Sequence, residues 1–156
     1  MLRIDVRELR KGPVPTRGTL PPQAPLFAGL GVALADPVEV SGLVELRGRN
    51  DYFWRGQLAS RVWTTCRRCG RELLLPIEVP VEALFSANPD LQDDPSVYPL
   101  TEPVSHVDVS EAAREELALA VPPFPLCKED CAGLCRVCGA DLNLGPCGCL
   151  PPVPNT

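Results

Sequence analysis

Apolar and polar positions alternate with a period of two through much of the chain, the pattern of strands with one buried face. Leu2, Ile4 and Val6 alternate with Arg3, Asp5 and Arg7, which predicts a short N-terminal strand. Val38, Val40, Val44 and Leu46 share a face, Gly48-Arg49-Asn50-Asp51 supplies a turn, and Trp54, Leu58 and Val62 form the apolar side of residues 52–65. After a turn over Cys66–Gly70, Leu73, Leu75, Ile77, Val79 and Val81 make a third apolar face, with Glu72, Glu78 and Glu82 on the reverse. The pattern predicts three successive antiparallel strands, a meander.

The period changes to that of a helix at about residues 108–120. Asp108 or Ser110 caps it, Glu111 and Glu115 suit its first turns, Ala112, Leu117 and Ala120 are its apolar positions, and Pro122 with Pro123 stops it. Residues 10–36 read as a proline-rich loop with a short strand near Leu30–Leu34. Residues 86–103, SANPDLQDDPSVYPLTEP, read as an exposed acidic loop or lid that is dispensable for folding. Val104–Val109 is a further candidate strand. The expected fold is a β-rich α+β protein: a small antiparallel sheet or barrel, closed by one helix, with a zinc-ribbon-like appendage at the C-terminus. The expected divisions are 1–125 for the β domain, 126–149 for the cysteine-rich appendage and 150–156 for a disordered tail.

Nineteen prolines and 12 glycines among 156 residues fit a folded protein with long irregular connections. The opening MLRIDVRELRKG mixes charges where a secretory signal needs an apolar run, and Pro21, Pro22 and Pro25 break the uncharged stretch Gly18–Ala35, so the expected location is cytoplasmic. The net charge of -5 hides an asymmetry. Residues 1–75 carry 12 basic and 7 acidic residues, a net of +5, whereas residues 76–156 carry 3 and 13, a net of -10. A partner feels the local field and not the total.

Eight cysteines carry the candidate chemistry. In a reducing compartment, paired spacing points to metal ligation before disulfides. Two pairs sit in the same pentad, Cys66-Arg67-Arg68-Cys69-Gly70 and Cys135-Arg136-Val137-Cys138-Gly139. Two intervening residues let one tight turn aim both sulfurs at a shared ion, and the following glycine can take a positive φ. Cys135 and Cys138, then a turn-forming stretch with Asn143, Gly145 and Pro146, then Cys147 and Cys149 make a minimal zinc-ribbon arrangement. Cys127 and Cys131 can join Cys66 and Cys69 in a second site, although a site shared by the two pentads is also geometrically sound. The expected cofactor is Zn2+ in a structural role. A redox C-x-x-C calls for a βαβ setting that Cys66 lacks, and the one histidine, His106, is far in sequence from every cysteine.

The second meander strand carries Phe53, Arg55, Gln57, Arg61 and Trp63 on its outer parity. From Arg47 to Arg71 there are seven arginines (Arg47, Arg49, Arg55, Arg61, Arg67, Arg68 and Arg71) and one acid, Asp51. Arginines contact phosphates and stack on bases, and aromatic rings stack on unpaired bases, so these residues with Trp63 are the candidate contacts for RNA or another partner. Cross-strand pairing with Glu45, Glu78 and Glu82 is the competing use for the same arginines. Arg67, Arg68 and Arg71 are expected to be exposed at the hairpin tip, with little effect on stability.

The C-R-x-C hairpin after a three-strand run, the SEAAREELALAVPPFPLC passage from helix to cysteine, and the LCKEDCAGLCRVCGADLN segment together resemble the YceD family over about residues 35–149. The last segment is the most specific part. The resemblance implies a non-enzymatic part in accumulation of the large-subunit ribosomal RNA, and so in ribosome biogenesis. The expected partner is that RNA, a ribosomal protein or a precursor particle, with no membrane and no small-molecule substrate. The alternative is a zinc- or thiol-dependent enzyme that uses the cysteine clusters.

Overall fold

The computed structural model describes residues 2–149; the tail expected to be disordered, 150–156, lies outside the described residues. Two long strands organise the chain. β5 (Asp51–Thr65) and β6 (Glu72–Ser86) have 15 residues each and pair antiparallel from Asp51 opposite Ser86 to Thr65 opposite Glu72. β4 (Val38–Gly48) lies on the other side of β5, which completes the predicted meander. β2 (Val14–Leu20) pairs antiparallel with β4, the two-residue β3 (Ala33–Leu34) pairs with β5 at Val62 and Trp63, and β7 (Val97–Pro99) adds in parallel to the end of β6. A separate two-stranded sheet joins β1 (Arg3–Asp5) to β8 (His106–Asp108).

The six-stranded sheet is open and mixed, which corrects the barrel alternative. Its edges are β2 and β7, and the three-residue β7 is far too short to carry the sheet round to the opposite edge. The expected single helix is α2 (Ser110–Ala120), whose first N–H is taken by the Asp108 carboxylate at 2.9 Å. A four-residue helix, α1 (Val6–Leu9), follows β1, so the N-terminal strand is shorter than the alternation predicts.

One face of the sheet is the core. Val38, Val40 and Val44 of β4, Tyr52, Trp54, Leu58 and Val62 of β5, and Ile77, Val81 and Phe85 of β6 are buried together with Ala112, Ala113 and Leu117 of α2. Leu46 shares their parity but is exposed at the end of β4. Trp54 is the largest fully buried side chain, and two glycines make room for it. Gly42 and Gly56 oppose each other across β4 and β5, and a Cβ at Gly56 would stand 2.5 Å from the indole. The indole N–H donates to Thr16 Oγ1 of β2 at 3.0 Å, so the one polar atom of this ring is satisfied inside the core.

Two proline-rich segments contain strands that proline hides. β2 holds Pro15 and lies at an edge, where one side of the strand has no ladder bonds to lose. Residues 86–103, expected as an exposed loop or lid, make specific contacts with the sheet and the helix. Val97 is buried, Tyr98 stacks on Phe85 with centroids 5.1 Å apart and donates to Glu115 of α2 at 2.8 Å, and the Leu100 N–H donates to the Ser86 carbonyl at 2.7 Å. This segment ties the sheet edge to the helix.

Candidate functional site

The β5–β6 hairpin ends in the turn that carries Cys66 and Cys69. Cys66 N–H donates to the Arg71 carbonyl at 2.8 Å and Gly70 N–H returns to the Cys66 carbonyl at 2.9 Å, with Gly70 at φ 71°. The second pentad repeats this closure: Cys135 N–H to the Ala140 carbonyl at 2.8 Å, Gly139 N–H to the Cys135 carbonyl at 2.9 Å, and Gly139 at φ 74°. A side chain with a Cβ pays a steric cost at such φ, which is why glycine follows the second cysteine in both.

The eight sulfurs form two groups, Cys66, Cys69, Cys127 and Cys131, and Cys135, Cys138, Cys147 and Cys149; within each, all four Sγ atoms lie within 4.8 Å of one another. The structure does not bring the two pentads onto one site. Cys66 to Cys131 and Cys69 to Cys127 are both 3.7 Å, too long for disulfides, and all eight cysteines are free. Four sulfurs at about 2.3 Å from one ion, in tetrahedral array, stand about 3.8 Å apart. The donor set and its spacing therefore fit a tetrathiolate metal site.

Protonation is uneven within each group. Burial opposes ionisation of Cys66, but backbone N–H groups of Cys69, Cys127 and Arg68 aimed at its sulfur bring the thiol down to about 6. Backbone N–H groups of Cys138 and Val137 do the same for Cys135, also to about 6. Burial and then the neighbouring thiols push Cys127 up to about 12, and the Cys138 and Cys147 thiols, with burial, push Cys149 up to about 12. Four thiolates cannot crowd together unaided; a divalent cation removes that repulsion and takes the place of the protons. The first group is largely buried and the second is mostly half-exposed.

The first group spans the expected boundary at 125/126, since its sulfurs come from the hairpin tip and from the segment after α2. Hydrogen bonds reinforce the junction. Arg67 N–H donates to the Pro125 carbonyl at 2.9 Å, and the Arg68 guanidinium donates to the carbonyls of Glu129 at 3.2 Å and Cys131 at 3.0 Å. The Arg67 guanidinium lies 5.6 Å from the Phe124 ring centre, and Arg71 pairs with Asp141 at 3.5 Å. The tip arginines are exposed, as expected, and each also contacts the segment after α2.

On the outer sheet face Arg47 pairs with Glu45 at 2.7 Å, Arg55 with Glu82 at 3.0 Å, and Arg61 with Asp36. Glu82 is the partner that cross-strand reasoning anticipates, directly opposite Arg55; Glu45 instead pairs with Arg47 two residues along the same strand, and Asp36 reaches Arg61 from the connection between β3 and β4. The Arg47 and Arg55 guanidinium carbons lie 5.5 and 5.7 Å from the Phe53 ring centre, so one aromatic ring sits within reach of two cations. Arg49 has no ion-pair partner among the described residues. Trp63 is 51% exposed on the same face, ten residues from Phe53, or about 33 Å along the strand. His106 is remote from both cysteine groups in its contacts: it bonds to Arg3 and Ser105 beside the small sheet.

An open sheet whose hairpin tip supplies half of one four-cysteine group, with a second such group following in sequence, defines a small β-rich protein with two clusters of thiols able to hold metal. The chain belongs to the YceD family: the family described as large ribosomal RNA subunit accumulation protein YceD matches residues 54–155. The match includes all eight cysteines, Arg55, Arg61, Trp63, Arg67, Arg68 and Arg71, and begins after Arg47, Arg49 and Phe53. Comparison with curated proteins gives no match, and comparison with solved structures gives none. The family name points to a role in accumulation of large-subunit ribosomal RNA and names no enzymatic activity. No helix among the described residues is long and apolar enough to cross a membrane.

Proposed function

We propose that this protein is a non-catalytic, cytoplasmic factor in ribosome biogenesis that supports accumulation of large-subunit ribosomal RNA by contacting it through the outer face of β4 and β5. The family match carries the biological role. The arrangement of Phe53 between Arg47 and Arg55, with Arg49 near one end and Trp63 at the other, supports the face. Exposed ion pairs such as Arg55–Glu82 contribute only about 0–1 kcal/mol, so these guanidiniums can exchange a carboxylate for a phosphate at little cost. Phe53 and Trp63 offer ring faces to unpaired bases. Arg61, Arg67, Arg68 and Arg71 extend the positive field toward the tip while also holding the fold together.

Both cysteine groups bind Zn2+ in this reading, and the segment 126–149 is the element that the metal holds against the hairpin. A site closed by four thiolates keeps no position open for substrate, which favours structural zinc over the enzymatic alternative. Structural zinc supplies folding free energy to a segment whose described regular structure is a single bridge, Leu134 to Asp141, and a 3₁₀ turn at Leu142–Leu144.

Charge reversal at Arg47, Arg49 and Arg55 tests the face without touching the tip. The triple variant should fold normally, co-sediment more weakly with large-subunit precursor particles, and lose about 0.7–0.9 of log-log salt slope for each phosphate contact removed. Unchanged binding and unchanged salt response would reject this face. Weaker binding that survives removal of RNA by nuclease would assign the contact to a ribosomal protein.

A further inference from the structure

The second cysteine group reaches into the first. Its loop between Cys138 and Cys147 contains Asn143, whose side-chain N–H donates to Cys131 Sγ of the first group at 3.4 Å. Asn143 is fixed from several directions: its Oδ1 accepts from Ala132 N–H at 2.9 Å, its own backbone N–H donates to Asp141 at 2.9 Å, and Asp141 pairs with Arg71 directly beyond the first turn. The Leu142 N–H donates to the Gly133 carbonyl at 2.9 Å. Gly133 in turn lies against the first turn, where a Cβ would stand 3.1 Å from the Arg68 carbonyl. The loop that carries Asn143 is anchored at both ends by ligands of the second group, Cys138 and Cys147.

We infer that the two centres are thermodynamically coupled, with metal in the second centre ordering the loop that presents Asn143 to Cys131 and thereby strengthening metal binding at the first. This rests on the reading that both groups hold metal. A hydrogen bond to a ligating thiolate stabilises its charge and fixes its direction, and removing such an outer-shell partner typically weakens metal binding about 10–100-fold. Coupling of this kind is reciprocal, so an occupied first centre equally strengthens the second. Asn143 is a positioning residue: it touches a ligand and not the ion.

The test uses the full chain, with Zn2+ in competition with a chromogenic chelator. Four proteins are compared: the parent, Asn143→Ala, Cys135→Ser/Cys138→Ser, and the combination. The parent should hold two ions. Asn143→Ala should still hold two, with the first-centre affinity lowered about 10–100-fold. Cys135→Ser/Cys138→Ser should hold one ion, at an affinity lowered to a similar degree, and adding Asn143→Ala to it should change nothing further, since the loop is already released. Cadmium-113 resonances, assigned through the cysteine variants, give a second readout. The first-centre signal should shift in Asn143→Ala as the hydrogen bond to Cys131 Sγ is lost. Two ions in every protein with intact cysteines, with first-centre affinity and resonance indifferent to Asn143, would overturn the coupling and leave the metal reading standing. A parent that holds no metal when reduced and folded would overturn both.

Discussion

The two Cys-Arg-x-Cys-Gly turns close with the same two backbone hydrogen bonds and the same positive-φ glycine, yet they stand on different foundations. The first ends a hairpin of two 15-residue strands, and Cys66 and Cys69 are buried. The second stands on a single bridge, Leu134 to Asp141, with Cys138 exposed and Val137 71% exposed. A short-range motif thus specifies a turn and the aim of two sulfurs, but not what keeps the turn in place. For the first turn that is sheet pairing and a packed core. For the second it is, on the proposed zinc role, the ion itself.

This contrast orders the expected effects of substitution. Trp54→Ala should have the largest: the indole fills the hollow over Gly42 and Gly56, and its loss should cost about 3–5 kcal/mol in a single cooperative transition on chemical denaturation. Cys135→Ser/Cys138→Ser should instead leave that main transition almost in place while hydrogen exchange becomes rapid across 132–149. Simultaneous loss of the whole protein would show that the two regions are one cooperative unit. Replacing residues 88–100 with a Gly/Ser linker should cost roughly 2–4 kcal/mol, because Val97 and Tyr98 leave the edge of the sheet and the side of α2. A neutral result would mean that β7 adds nothing to the core.

Arg68→Ala sharpens the comparison at the junction. The guanidinium donates to two carbonyls of the segment that brings Cys131, so its loss should cost about 1–3 kcal/mol and should speed chelator-driven release from the first centre. The smallest effect belongs to Arg55→Ala. Both partners of its ion pair are mostly exposed, and thermal denaturation should register a change of at most about 1 kcal/mol. A larger loss would make the outer face structural and weaken its assignment as a contact surface.

The same division separates what was legible in the sequence from what was not. Alternation alone placed Trp54, Leu58 and Val62 inside and Arg55 and Trp63 outside, because strand parity is a local property. The two Cys-Arg-x-Cys-Gly turns were legible for the same reason. Pro15 concealed β2, since whether a proline strand is tolerable depends on its being an edge, and that is known only once β4 has found its other neighbour. Val97 and Tyr98 lay in an acidic, proline-punctuated run too short for a periodic signal; Phe85 and Glu115, distant in sequence, give them their places. Spacing left two ways to divide the cysteines. The structure divides them through long-range contacts, chiefly Arg68 on the Glu129 and Cys131 carbonyls and Gly133 against the first turn. The local charge from Arg47 to Arg71 was countable, and Glu45 and Glu82 were visible as acids on the neighbouring strands, but the pairing of Arg61 with Asp36 and of Arg71 with Asp141 was not, because those two acids lie outside the meander and only the fold brings them close.

The most direct test of the functional account is ultraviolet crosslinking in cells, with sequencing of the attached RNA and mass spectrometry of the attached peptide. The account predicts large-subunit ribosomal RNA joined at the peptide that contains Phe53 or Trp63, and loss of that product when Arg47, Arg49 and Arg55 are reversed in charge. Crosslinks to the same RNA through residues 126–149, unaffected by those substitutions, would contradict it and move the contact to the cysteine-bearing segment.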